Sequence, residues 1–150
     1  MTSTTDNIEG ACNCAAIKIS IPRCSFPQTA GLCHCLNCQA SCGSLFSYNL
    51  LTPTAAITIT GTPKIFTETS NSGTTANRHF CGNCGSPIMT TVTEKPETTY
   101  VKGGLFHKCG IELPKPAAQV YMRRAAKWEV PLEGVHSTEL DIEGRDTCKD

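Results

Sequence analysis

The 150-residue chain reads as a mainly β domain with little helix, and three observations carry that expectation. Short segments rich in Ile, Val and Thr alternate apolar and polar side chains, the period of a half-buried strand. Glycines and prolines punctuate those segments where turns are needed. Seven of the eleven cysteines fall in three tight clusters, Cys12-Asn13-Cys14, Cys33-His34-Cys35-Leu36-Asn37-Cys38 and Cys81-Gly82-Asn83-Cys84. Such clusters can staple a small β domain through metal.

The elements follow in order. Residues 1–9 are polar and slightly acidic and are expected to be flexible. Ile17 to Ile21 alternate and end at Pro22, as a strand does before a residue that cannot donate to the ladder. Leu36 to Ser41 offer one or two helical turns, stopped by Gly43 at a left-handed cap. Ala56 to Thr60 is the next strand, and Gly61-Thr62-Pro63 turns it toward Lys64–Thr67. Ser70-Asn71-Ser72-Gly73 is a turn. Further strands are expected at Asn77–Phe80, Ile88–Thr93, Tyr100–Lys102 and Gln119–Arg123. The domain proper spans 10–132, and the charged tail 133–150 is expected to be extended or disordered. No internal repeat is present, so this is not a tandem zinc-finger array.

Composition narrows the function. Lys+Arg and Asp+Glu are 13 each, so the basic footprint of a nucleic-acid binder is missing. No apolar run approaches the ~20 residues of a membrane span. The start of the chain lacks the basic and apolar stretches of a secretory signal, so a cytoplasmic, reducing location is expected. Cysteines there read as metal ligands or catalytic groups before disulfides. Cys24, Cys42, Cys109 and Cys148 stand outside the clusters and read as idle thiols.

The seven clustered cysteines divide as four plus three. Cys81-Gly82-Asn83-Cys84-Gly85 has the form of a zinc knuckle, whose glycines let backbone amides turn toward the sulfurs. A knuckle supplies two ligands, and Cys12 with Cys14 would complete a closed, structural tetrahedral site. Cys33, Cys35 and Cys38 remain as a three-thiolate set. Three thiolates leave zinc with a net charge near −1 rather than −2, a stronger Lewis acid with a place for an incoming thiol or water. Two alternatives stay open: Cys42 closes that place from the same helical face, or the pairs regroup, for example Cys33 and Cys35 with Cys81 and Cys84. His34, between two ligands, is expected to make a structural hydrogen bond. Arg78 or His79 would offset thiolate charge, and His107 and His136 would be solvated.

These motifs resemble the GFA family, named for the glutathione-dependent formaldehyde-activating enzyme and including centromere-protein-V-like proteins. The resemblance runs through Gly10 to Cys14, Cys33 to Ser44 and Phe80 to Pro87, and continues through Val101 to Leu105, Gln119 to Tyr121 and Lys127-Trp128. It implies a β-tent of short antiparallel sheets built around a structural zinc on Cys12, Cys14, Cys81 and Cys84. A second, catalytic zinc would sit on Cys33, Cys35 and Cys38, where a glutathione thiol binds. Family members are described as carbon–sulfur lyases acting on glutathione adducts.

Three positions depart from the family pattern. Gln39 stands where Arg is frequent, Cys42 where Ser or Thr is usual, and Gly103-Gly104-Leu105-Phe106 where many members read Gly-Thr-Leu-Asp. An apolar ring in place of an acid favours a bulkier, more apolar or aromatic carbonyl substrate. The expected function is therefore a zinc-dependent lyase on a thiol adduct, with glutathione as cosubstrate. Gln39 and Ser44 would position the adduct, and Phe46, Tyr48 and Phe106 are candidate pocket walls or ordinary core. The rival is a non-catalytic zinc module, a protein-interaction or chromatin-associated scaffold. Sheet edges permit a homodimer without requiring one.

Overall fold

The computed structural model describes residues 6–69 and 73–145. Strands β1 (Asn7–Ala11), β2 (Lys18–Pro22) and β5 (Thr58–Thr60) form an antiparallel sheet in the order β1-β2-β5. The second sheet has eight strands: β3 (Ala30–Cys33), β4 (Ser47–Pro53), β6 (Lys64–Thr69), β7 (Thr75–Phe80), β8 (Pro87–Val92), β9 (Thr98–Lys102), β10 (Pro116–Val120) and β11 (His136–Ser137). Its order is β11-β10-β3-β4-β9-β8-β7-β6. The helices are short, α1 at Leu36–Cys42 and α2 at Gly104–His107. This is the mainly β architecture the alternating segments predict.

The core lies where the small sheet meets one face of the large one. Ile8, Ile19 and Ile21 from β1 and β2 pack with Leu50, Ile88 and Val101 from β4, β8 and β9. Phe26, Leu105 and Phe106 fill the middle, with the Phe26 and Phe106 rings edge to face at 5.2 Å. Each such side chain contributes about 1.5–3 kcal/mol when fully buried.

Because side chains alternate across a strand, the other face of the large sheet carries a different set. Asn49 lies opposite Lys102, and Arg78 opposite Thr90, itself opposite Tyr100. These polar groups share one face. His79 falls on the opposite face, in register with Met89 and through it Val101.

Several expectations are corrected. Residues 7–9 belong to β1 rather than to a flexible start, because Ile8 inserts into the core. Ala56 ends a 3-10 turn, and only Thr58–Thr60 pairs as a strand. The strand expected at Gln119–Arg123 stops at Val120: Tyr121 takes a left-handed conformation (φ 58°), and Met122–Arg124 form a 3-10 turn. The large sheet is mixed, since β10 runs parallel to both β3 and β11. The tail through residue 145 is placed: β11 pairs with β10, and the Tyr121 and Met122 amides donate to Leu140 and Thr138 carbonyls. Most of the turn expected at 70–73, and residues 146–150 with Cys148, lie outside the described residues.

Candidate metal centres and the cavity beside them

Cys12 and Cys14 occupy the β1–β2 turn, and Cys81 and Cys84 the β7–β8 turn. Their four sulfurs lie within 4.8 Å of one another. Cys14 Sγ is 3.6 Å from both Cys12 Sγ and Cys81 Sγ. Tetrahedral zinc with Zn–S bonds of ~2.3 Å needs sulfurs about 3.8 Å apart, so the donor set fits that ion. The Ile17 amide donates to Cys12 Sγ at 3.2 Å, and Gly85 (φ 75°) lets the knuckle close with its amide on the Cys81 carbonyl at 2.9 Å. Lys108 Nζ caps the other turn through the Cys12 and Asn13 carbonyls at 2.8 and 3.2 Å.

The thiols of this group differ in acidity. The Ser86 hydroxyl and then its backbone hold Cys84 down at about 5. Cys14 is lowered by Asn83 and by the Ala16 backbone. Cys81 is pulled down by the Cys84 and Asn83 backbone, but burial and its bonds to Cys14 and Cys84 outweigh them and raise it.

The second group is Cys33 at the end of β3, Cys35 at the N-cap of α1 and Cys38 in its first turn, their sulfurs also within 4.8 Å of one another. Cys35 Sγ accepts from the Cys38 amide at 3.4 Å, so the helix start itself aims the sulfur. Hydrogen bonds from Cys33 and Cys35 hold the Cys38 thiol well below its ordinary value, helped by the charges of Lys102 and Arg78. Bonds to Cys33 and Cys38, then burial, push Cys35 up. Cys33 is raised too: its bond to Cys38 and burial outweigh the lowering bond to Cys35.

Cys42 is not part of this group. It faces a separate cleft of about 280 Å³ lined by Phe46, Tyr48, Ser86, Lys102 and Lys108. The regrouped pairing is likewise not adopted. The three sulfurs instead open onto a cavity of about 410 Å³ on the polar face of the large sheet. Asn49, Tyr100, Lys102, Thr90, Arg78 and Glu68 line it, and Asp141, Ile142 and Arg145 from the tail border it.

Four cations line that wall, and Arg78 and Lys102 are far less exposed than Lys95 and Arg145. Arg78 Nε donates to Glu68 at 2.6 Å, and its Nη1 reaches Cys38 Sγ at 3.8 Å and Ser41 Oγ at 3.3 Å. Burial would lower its pKa, but Cys38 and Glu68 outweigh that and raise it. Lys102 is 7% exposed and donates to Ser47 Oγ at 2.6 Å and Asn49 Oδ1 at 2.8 Å. Of the two groups expected to offset thiolate charge, Arg78 does so. His79 bonds Thr91 on the far face, and burial lowers its pKa.

Other expected residues sit elsewhere. His34 is fully buried, with Nε2 2.6 Å from Glu129 Oε1 and its ring tilted on Phe46. Gln39 Nε2 donates to the His34 and Arg124 carbonyls at 2.7 and 2.9 Å. Ser44 is exposed, and neither Gln39 nor Ser44 lines the cavity. Phe106 is 0% exposed in the core, so it forms no pocket wall and gives no reason to expect an apolar substrate. Phe46 and Tyr48 border the smaller cleft.

Residues 7–124 match the GFA family, described as glutathione-dependent formaldehyde-activating enzyme. The chain belongs to the GFA family. No curated protein matches it. A structural-genomics crystal structure of a Rhodobacter sphaeroides protein is similar in fold, with a TM-score of 0.53 at 18% identity, covering 71% of this chain and 98% of that one. Among the described residues, no helix of this GFA domain is long and apolar enough to cross a membrane.

Sequence reasoning missed Lys102 as a site residue, together with its anchors Ser47 and Asn49. The signal was present: Tyr100 and Lys102 alternate with Val101, placing both on the face away from the core.

Proposed function

We propose that this GFA protein is a zinc-dependent carbon–sulfur lyase acting on the glutathione adduct of an electrophilic carbonyl compound. The single observation that carries the reading is the contrast between four mutually close thiols and three that open onto a cavity. In the reading, Cys12, Cys14, Cys81 and Cys84 hold a structural zinc, and Cys33, Cys35 and Cys38 hold the catalytic one. Zinc on three thiolates supplies Lewis acidity that favours the thiolate form of an incoming thiol.

The chain's own groups do the rest. Arg78 sits against Cys38, offsets the negative charge of the thiolate set and is itself fixed by Glu68. The cavity falls within the ~300–1,000 Å³ usual for small-ligand sites. Its mixed wall of amide, hydroxyl, phenol and paired charges suits a zwitterionic peptide thiol better than a purely apolar ligand. The tail segment contributes Asp141, Ile142 and Arg145 to its border.

Metal analysis and glutathione titration test the reading together. Two zinc ions per chain are expected, and glutathione should alter the sulfur-to-metal charge-transfer band of the cobalt-substituted protein. A cobalt spectrum indifferent to saturating glutathione would leave a zinc-stapled scaffold.

A further inference from the structure

Lys102 is a buried cation hydrogen-bonded only to neutral groups. Its two hydrogen bonds go to Ser47 Oγ and Asn49 Oδ1, and among the described residues no carboxylate forms an ion pair with it. The acceptors are themselves fixed: Ser47 Oγ donates to Asn49 Oδ1 at 2.8 Å, and Asn49 Nδ2 donates to the Ser47 carbonyl at 3.3 Å. An ammonium has three N–H donors, and two are used here. Its charge is felt by Cys38 in the same wall, but among the described residues no acceptor takes its third N–H, and a buried donor left unpaired is costly unless an anion completes the site. The cavity it lines with Cys33, Cys35 and Cys38 is where that anion would come. Arg78, a half-buried cation of the same wall, already meets Glu68, Ser41 and Cys38.

We propose that Lys102 binds the substrate oxygen, donating its third N–H to the oxygen that shares a carbon with the adduct's sulfur. This rests on the lyase reading and adds the residue that handles the second heteroatom. In breakdown of a hemithioacetal, the hydroxyl proton leaves to water and the oxygen pair re-forms C=O. The C–S bond breaks in that same step, its electron pair going to sulfur. In formation, the thiolate sulfur attacks the carbonyl carbon, the π pair moves to oxygen, and that oxygen takes a proton from water. In both directions negative charge passes through the oxygen, and a preorganised ammonium stabilises it without reorganising. No oxidant or reductant is needed.

Two small thiols separate this role from general charge balance. Thioacetate carries sulfur and a carbonyl oxygen that shares its negative charge on one carbon; ethanethiol carries only the sulfur. Their affinities for the cobalt-substituted protein are read from the charge-transfer band, in wild type and in Lys102→Met, with metal content checked. Lys102→Met should weaken thioacetate about tenfold or more, the loss of one charge-assisted hydrogen bond, and leave ethanethiol within about twofold. Equal weakening of both thiols, or of neither, overturns the assignment while leaving the lyase reading intact. A wild-type centre that binds neither thiol overturns both. Should Lys102→Met fail to load metal, Ser47→Ala removes one anchor of the ammonium and should lower the thioacetate preference several-fold. An unchanged preference there overturns the assignment.

Discussion

Asn13 and Ser86 are 73 positions apart in sequence, yet the Asn13 amide donates to the Ser86 hydroxyl at 3.1 Å. That hydroxyl also lies 3.2 Å from Cys84 Sγ, so one side chain links both turns of the four-thiol group. The group therefore joins the first hairpin of the small sheet to the β7–β8 turn of the large one. A structural zinc supplies about 10–16 kcal/mol of apparent binding energy, as much as the whole ~5–15 kcal/mol stability of a typical domain. Cys81→Ser should accordingly abolish the cooperative thermal transition seen by circular dichroism. A Cys81→Ser protein that melts within a few degrees of wild type would show that the core alone holds the sheets together.

Metal affinity at this group should rise with pH in a defined order. Protons compete with metal for every thiol. Cys84, held at about 5, is already ionised at neutrality, whereas Cys81 is raised and keeps its proton. Binding near pH 7 therefore releases the Cys81 proton, and apparent affinity climbs as pH rises toward the Cys81 pKa. As pH falls through about 5, Cys84 is protonated as well and affinity drops more steeply. In the metal-free protein the sign agrees: a depressed thiol stabilises the fold above its unfolded pKa of about 8.5 and loses that contribution as pH falls toward 5. Competition with a chromophoric chelator from pH 5 to 8 checks this, and a pH-independent affinity contradicts it.

Gly103 tests the packing behind Lys102. A Cβ added there would stand 2.4 Å from the Cδ1 and Cε1 atoms of the Tyr48 ring. That ring cannot swing away freely, because the Tyr48 hydroxyl donates to the Pro114 carbonyl. Gly103→Ala should destabilise the domain by about 1–3 kcal/mol, as overpacking does. Urea denaturation at fixed metal content measures it, and a midpoint equal to wild type would mean the ring relocates at no cost.

The strands were legible because their signal is local. Ile19 and Ile21 alternate with Lys18 and Ser20, and the buried pair falls on the core side. The α1 stop at Gly43 (φ 58°) was equally readable, since glycine takes that conformation without strain. What escaped depends on contacts distant in sequence. Tyr121 shows no propensity for a left-handed turn; the placement of Leu140 and Thr138 sets that turn. The hydrogen bond of Gln39 to the Arg124 carbonyl, 85 positions on, is likewise invisible in the Cys33–Ser44 motif. The four-plus-three division of thiols was readable because chelation constrains spacing.

Cys42 and Cys33 separate the open centre from a closed one. Cys42 sits at the C-terminal end of α1, facing the smaller cleft, with its Sγ 4.0 Å from Ser41 Oγ. Removing a side chain that takes no part in the three-thiol group should leave the metal in place. Cys42→Ala is thus expected to retain two ions per chain and an unchanged cobalt charge-transfer spectrum. Cys33→Ser removes one of three thiolates and should lower that centre's affinity by orders of magnitude while the four-thiol group keeps its metal. Thermal stability should fall far less than in Cys81→Ser, because the three-thiol group joins only the end of β3 to its neighbouring helix. If Cys42→Ala instead sheds one ion, its thiol moves in to close the centre, and a thiol substrate would have to displace it.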